Sequence, residues 1–152
     1  MIKVALTKST EILKKVIQVM KTKNGGVVIL TSKSYATLEP EFKRNKIALK
    51  NFLFIDTIGN KESDNVLPVS IKNLTALSIT ITEAMQSFPP NKKNLILESP
   101  ELLLIYNSLE VTKKFLSFTI AQMRQTKTNT TIIVSKSSDS QKILPFLQQS
   151  ED

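Results

Sequence analysis

The sequence predicts an α/β fold. The expected form is a doubly wound, mainly parallel sheet of five strands in a three-layer α/β/α sandwich, one domain over residues 1–152. Three observations carry this. Five short runs have continuous apolar centres instead of strict alternation, as strands covered on both faces do. Stretches with apolar residues at helical spacing separate the runs. Parallel neighbours need crossover connections, and those stretches can supply them.

The runs are Ile2–Leu6, Val27–Ser32, Phe52–Thr57, Asn94–Ser99 and Thr130–Ser135. Between the first two, Ser9 or Thr10 can cap a helix with the stripe Ile12, Leu13, Val16, Ile17 and Met20, which Gly25-Gly26 ends. Tyr35–Lys46 is a weaker helix that starts at Pro40 or breaks there. A long loop is expected near Gly59–Asn65. Asn73–Phe88 carries Leu74, Leu77, Ile81, Ala84, Met85 and Phe88 at helical spacing, although Leu77–Thr82 also alternates with period two; length favours the helix. Glu110–Lys127 gathers Phe115, Leu116, Ile120 and Met123 on one face. A last short helix, Ser140–Gln149, is limited by Pro145.

Composition narrows the chemistry. The chain has no Cys and no His, which removes disulfides, thiolate and imidazole metal sites, and Ser-His-Asp triads. Only three glycines are present, so a Gly-rich phosphate loop has no place to form. Lys and Arg total 21 against 13 acids, a net charge of +8. All but Arg44 and Arg124 are lysines, spread as singles and pairs, which reads as a solvated surface more than a phosphate-reading one. No run reaches the roughly 20 apolar residues of a membrane helix. The expected location is cytoplasmic, without membrane attachment.

Ligands of doubly wound sheets bind beyond the carboxyl ends of the strands. There the sequence offers Thr7-Lys8-Ser9, Ser32-Lys33-Ser34, Asp56-Thr57, Glu98-Ser99 and Ser135-Lys136-Ser137. Lys8, Ser9 and Thr10 are candidates for binding an anion or nucleotide at a helix start, or form a plain helix cap. Asp56 and Glu98, with Glu101, are candidates for a magnesium site, or are acids that cap loops and pair with Lys33 or Lys136. Leu102–Tyr106 is a partner-binding edge or core under the sheet, and the core reading is preferred. Phe146 and Leu147, with Lys113 and Lys114, are the candidate partner contacts.

Three blocks look familiar: Asp64–Ser70 with Asn73–Ile79, Asn94–Asn107, and Val111–Phe118 with the strand Ile132-Ile133-Val134. Together they resemble the archaeal RecA/KaiC-like ATPase-related proteins, over most of the chain from about Gly25 onward. The resemblance implies a RecA-like P-loop NTPase fold with sheet order 3-2-4-5-1, numbering the five runs in sequence. It puts Lys8-Ser9 where the family has its Walker A lysine and hydroxyl, and Glu98 at the Walker B acid position. The glycines of the phosphate loop are missing, so the resemblance implies the fold without a P-loop. The expectation is a non-catalytic pseudo-ATPase with no cofactor, acting as a protein-interaction or regulatory module of an archaeal ATPase system, with a protein partner or as a homo-oligomer. The alternatives are weak nucleotide or anion binding without turnover, and nucleic-acid binding through lysines.

Overall fold

A computed structural model describes residues 1–152, the side chain of residue 91 excepted. The elements run β1 (Ile2–Thr7), α1 (Ile12–Lys23), β2 (Gly26–Leu30), α2 (Tyr35–Arg44), β3 (Phe52–Asp56), β4 (Val66–Pro68), α3 (Leu74–Gln86), β5 (Asn94–Glu98), α4 (Leu109–Gln125), β6 (Asn129–Ser135) and α5 (Ser140–Gln149). One sheet holds all six strands in the order β1-β6-β5-β2-β3-β4, and every neighbouring pair is parallel.

Six strands stand where five were expected. The missed one, β4, is three residues long, has only Val66 buried, and contains Pro68. Proline is tolerated there because the strand lies at the sheet edge. The other five have the expected neighbours, and β4 adds itself outside β3.

The central strands β2 and β5 are buried at every residue. Helices therefore cover both faces. On one face α1 and α2 pack Val16, Met20, Leu38 and Phe42 against Val28, Phe54 and Ile133. Aromatic rings concentrate here: Phe42 stacks on Phe54 at 5.5 Å, and Tyr35 meets Phe54 at 4.7 Å. On the other face α3, α4 and α5 pack Leu77, Ile81, Leu116, Ile120, Ile143 and Leu147 against Val27, Ile29, Leu97 and Val134.

Local departures have local causes. Pro40 does not break α2, which starts five residues earlier at Tyr35, with Ser34 capping through a bond from the Thr37 N–H. The carbonyl that Pro40 leaves without a donor belongs to exposed Ala36 and can face water, while buried Tyr35, Leu38 and Phe42 hold both sides of the proline. Pro145 is likewise inside α5 without shortening it. The alternating Leu77–Thr82 stretch is helical within α3. Thr80 and Thr82 donate their hydroxyls to the carbonyls of Ala76 and Ser78, which removes the polar objection to the helix. Neither Ser9 nor Thr10 caps α1: a tight turn over Ser9–Glu11 precedes it, and α1 begins at Ile12.

The chain leaves β2 and β5 in opposite directions, through α2 on one face and α4 on the other. That is the topological switch point of a doubly wound sheet. The β2/β5 ladder pairs only Val27, Val28 and Ile29 with Leu95, Ile96 and Leu97. At its start the Asn94 side chain donates to the Gly25 carbonyl at 3.0 Å. Gly26 lies here with φ +132°, and a Cβ on it would sit 2.4 Å from the Asn94 carbonyl oxygen. Gly26→Ala is expected to lose more than about 3 kcal/mol of stability, from positive φ and from this backbone clash. Denaturant unfolding measures the loss, and a change within error of zero would contradict the close approach of the two strands.

Candidate functional site

The carboxyl edge of the sheet brings three buried acids onto backbone donors of the same chain. At the end of β5, the Glu98 Oε1 accepts the Thr31 N–H at 2.9 Å and the Ser32 N–H at 3.1 Å, both just past the end of β2. The Thr31 hydroxyl answers by donating to the Glu98 and Ser99 carbonyls. Ser99 takes φ +51°, unusual for a residue with a side chain, and its N–H donates to the Ile133 carbonyl at 2.8 Å. Pro100 follows and opens the tight turn Pro100–Ile105.

Glu101 lies in that turn and accepts the Ser135 N–H at the end of β6, at 3.2 Å. Burial pushes its carboxyl up to about 7; hydrogen bonds to backbone N–H groups oppose this, and the nearby Glu98 charge adds to it. Asp56 ends β3 and accepts three N–H groups: Tyr35 at 2.9 Å, Ile58 at 3.0 Å and Gly59 at 2.8 Å. A Cβ at Gly59 would sit 2.6 Å from Asp56 Oδ2, so the carboxylate would have to shift to admit one. The Tyr35 hydroxyl is pushed up to about 12, by burial first and then by Glu39.

Strand ends and helix starts with free N–H groups normally attract anions. Here the chain's own carboxylates occupy six of them, the N–H groups of Thr31, Ser32, Tyr35, Ile58, Gly59 and Ser135. The edge is thus acidic inside a protein of net charge +8. Among the described residues no Lys or Arg forms an ion pair with Asp56, Glu98 or Glu101; the pairs that form involve other acids.

A cavity of about 380 Å³ opens at the switch point. Ile12, Leu13, Val16, Leu30, Leu38 and Leu102 make its apolar wall. Glu98, Glu101, Ser99 and Ser135 supply polar groups, and exposed Ser32 and Lys33 stand at its rim. Glu98 is 2% exposed, and its Oε2 has no hydrogen-bond partner.

The structure distributes the sequence candidates unevenly. Ser9 and Thr10 line this cavity, but exposed Lys8 does not. Asp56 lines a separate hollow with Tyr35 and Glu39, on the far side of β2 from Glu98. Among the described residues no three acids gather as metal ligands. Leu147 is fully buried in the core, so it is no surface anchor. Phe146 is half-buried against that core with the Lys113 ammonium 5.9 Å from its ring, because α5 packs its apolar side onto the sheet. Lys114 pairs with Glu110 at 3.3 Å.

The run Leu102–Tyr106 is not all core. Leu103 is buried, whereas Ile105 and Tyr106 are 60% and 50% exposed, because the turn there is too tight to hide successive side chains. Sequence reasoning also missed Ile79 and Phe118, each 54% exposed. Their signal is positional: each falls outside the apolar stripe of its own helix. Of nine exposed large apolar residues among those described, six belong to this region: Ile79, Ile105, Tyr106, Leu109, Val111 and Phe118. The Thr82 hydroxyl and Gln122 amide bond at 2.7 Å between α3 and α4, and Ile79 and Phe118 each lie one helical turn before that bond.

No family model and no curated protein matches this chain.

Glu101 makes stability depend on pH. A carboxyl whose pKa is raised in the fold prefers its neutral form there. Its cost is absent below the unfolded value of 4.5, grows as pH rises toward about 7, and is complete above that. Glu101→Gln is expected to stabilise the protein at pH 8 by on the order of 3 kcal/mol, and to flatten the loss of stability across the same window. Thermal melts at several pH values check this; parallel profiles for the two proteins would contradict it.

Proposed function

We propose that this chain is a non-catalytic, protein-binding module, and that its partner is an ATPase assembly of the RecA/KaiC-like kind that the sequence resembles. The carrying observation is the filled carboxyl edge. Glu98, Glu101 and Asp56 occupy backbone donors of Thr31, Ser32, Tyr35, Ile58, Gly59 and Ser135 at the sheet edge where such folds bind nucleotides. Carboxylates at those positions also repel phosphate, which argues against the weak nucleotide reading.

The proposed contact surface is the outer face of α3 and α4. It combines exposed Ile79, Val111 and Phe118 with Tyr106, whose ring lies 5.5 Å from the Lys72 ammonium. Apolar groups give such a surface its affinity, and the surrounding lysines steer an acidic partner to it. A second copy of a chain with net charge +8 would be steered away.

A photoreactive residue in place of Phe118 tests this in native extract, with the same group in place of Gln18 on α1 as the opposite-face control. The expected result is one cross-linked protein from position 118, none from position 18, and at least tenfold less product when Lys72→Glu and Lys114→Glu are combined. The captured protein should carry an acidic apolar surface, and the purified pair should bind. Cross-linking to RNA or DNA, or equal products from both positions, would overturn the reading. In parallel, purified protein with magnesium and ATP should release no phosphate above the protein-free control. Release that disappears with Lys8→Ala would also overturn it.

A further inference from the structure

The two edges of the sheet are protected differently. One edge strand, β4, is three residues long and holds Pro68. The other, β1, is six residues long, and an open edge of that length is a template for pairing with another chain. Its ladder with β6 takes the main-chain groups of Lys3, Ala5 and Thr7, which leaves those of Ile2, Val4 and Leu6 on the outer side.

Two acids just past α5 cover part of this edge. The Asp152 carboxylate accepts the Ile2 N–H at 2.7 Å, and the Asp152 N–H donates back to the Ile2 carbonyl at 3.2 Å. The Glu151 carboxylate accepts the Val4 N–H at 3.2 Å. The segment thus runs antiparallel to β1, with carboxylates where a paired strand would bring carbonyls. Its bonds stop at Val4, and Leu6, 42% exposed, lies beyond them. From α4 the Arg124 guanidinium holds Asp152 at 3.4 Å. Both acids are exposed, so water competes for every one of these bonds and the segment opens at small cost.

The surroundings select for acids. Beside the same edge lies a hollow of about 440 Å³, lined by Lys3, Lys15 and Lys23 together with Glu151 and Asp152. Among the described residues none of these three lysines forms an ion pair.

We propose that the β1 edge binds an extended acidic segment of a partner protein by strand addition, and that Glu151 and Asp152 are its displaceable stand-in. A segment with acids at alternate residues meets both requirements. Its main chain pairs with Ile2, Val4 and Leu6, and every second side chain faces the side of Lys3, Lys15 and Lys23. A second copy is disfavoured, because its β1 brings Lys3 and its net charge is +8. This edge goes beyond the α3/α4 surface and does not rest on it.

The probe is a short blocked peptide of alternating Glu and Val. The matching peptides are alternating Lys and Val, and the Glu peptide methylated at every main-chain nitrogen. Glu151→Ala and Asp152→Ala combined should bind the Glu peptide about tenfold or more tightly than the unaltered protein, because the competing segment no longer closes the edge. Arg124→Gln, which loosens the same segment without touching it, should shift the affinity in the same direction. In the complex the Leu6 amide should exchange slowly with solvent. Lys3→Glu added to the double variant should remove the gain, and the Lys peptide should not bind. Unchanged affinity in the double variant, or equal binding of the methylated peptide, would overturn the proposal. So would light scattering that shows the double variant pairing with itself in the absence of peptide.

Discussion

The joint between β2 and β5 is the constraint on which the rest of the structure depends. Three strands lie on each side of it: β3 and β4 extend from β2, and β6 and β1 extend from β5. The ladder itself spans three residue pairs. Side chains lengthen it at both ends. Asn94 reaches the Gly25 carbonyl at one end, and Glu98 with Thr31 exchanges bonds at the other. Because the two crossovers diverge at this joint, backbone pairing alone would leave the strand ends apart. Glu98 closes them with bonds to two backbone N–H groups, and charge-assisted bonds of this kind are about twice as strong as neutral ones.

That closure has a functional consequence. In doubly wound sheets the diverging strand ends leave a crevice with free donors, and anionic ligands use it. Here donors after β2 and β3 and at the end of β6 are spent on Glu98, Asp56 and Glu101, and the crevice is a pocket with acids and an apolar wall. The basic charge of the chain and its acidic sheet edge are thus separate features. The exposed apolar stripe lies on the α3/α4 layer, the layer opposite α1 and α2, which wall the pocket.

Much of the fold was legible because burial on both faces leaves a strong trace. Continuous apolar centres located five of the six strands, and helical spacing located all five helices, including α3 against a competing alternation. What stayed hidden was decided by tertiary contact. The strand β4 has only Val66 buried to announce it, since edge pairing needs backbone and little else. The continuity of α2 through Pro40 depends on an exposed carbonyl and an aromatic cluster, neither visible in the local sequence. At the site, position at the strand ends directed attention to Glu98, Glu101 and Asp56. The sequence left open a magnesium site, loop caps or lysine pairs; the fold gives the acids backbone N–H groups, as loop caps have. Phe146 and Leu147 read as surface because their segment is short, but α5 docks on the sheet and buries Leu147 completely.

The central claim is that the strand-end donors are held by the chain's own carboxylates. The direct measurement follows the backbone amide resonances of Thr31, Ser32, Tyr35, Ile58, Gly59 and Ser135 during titration with inorganic phosphate, and then with pH. The account predicts that phosphate moves none of them, and that Ser135 inflects near pH 7 as Glu101 ionises. Phosphate-dependent shifts at Thr31 and Ser32, or a Ser135 amide blind to pH across that range, would contradict it.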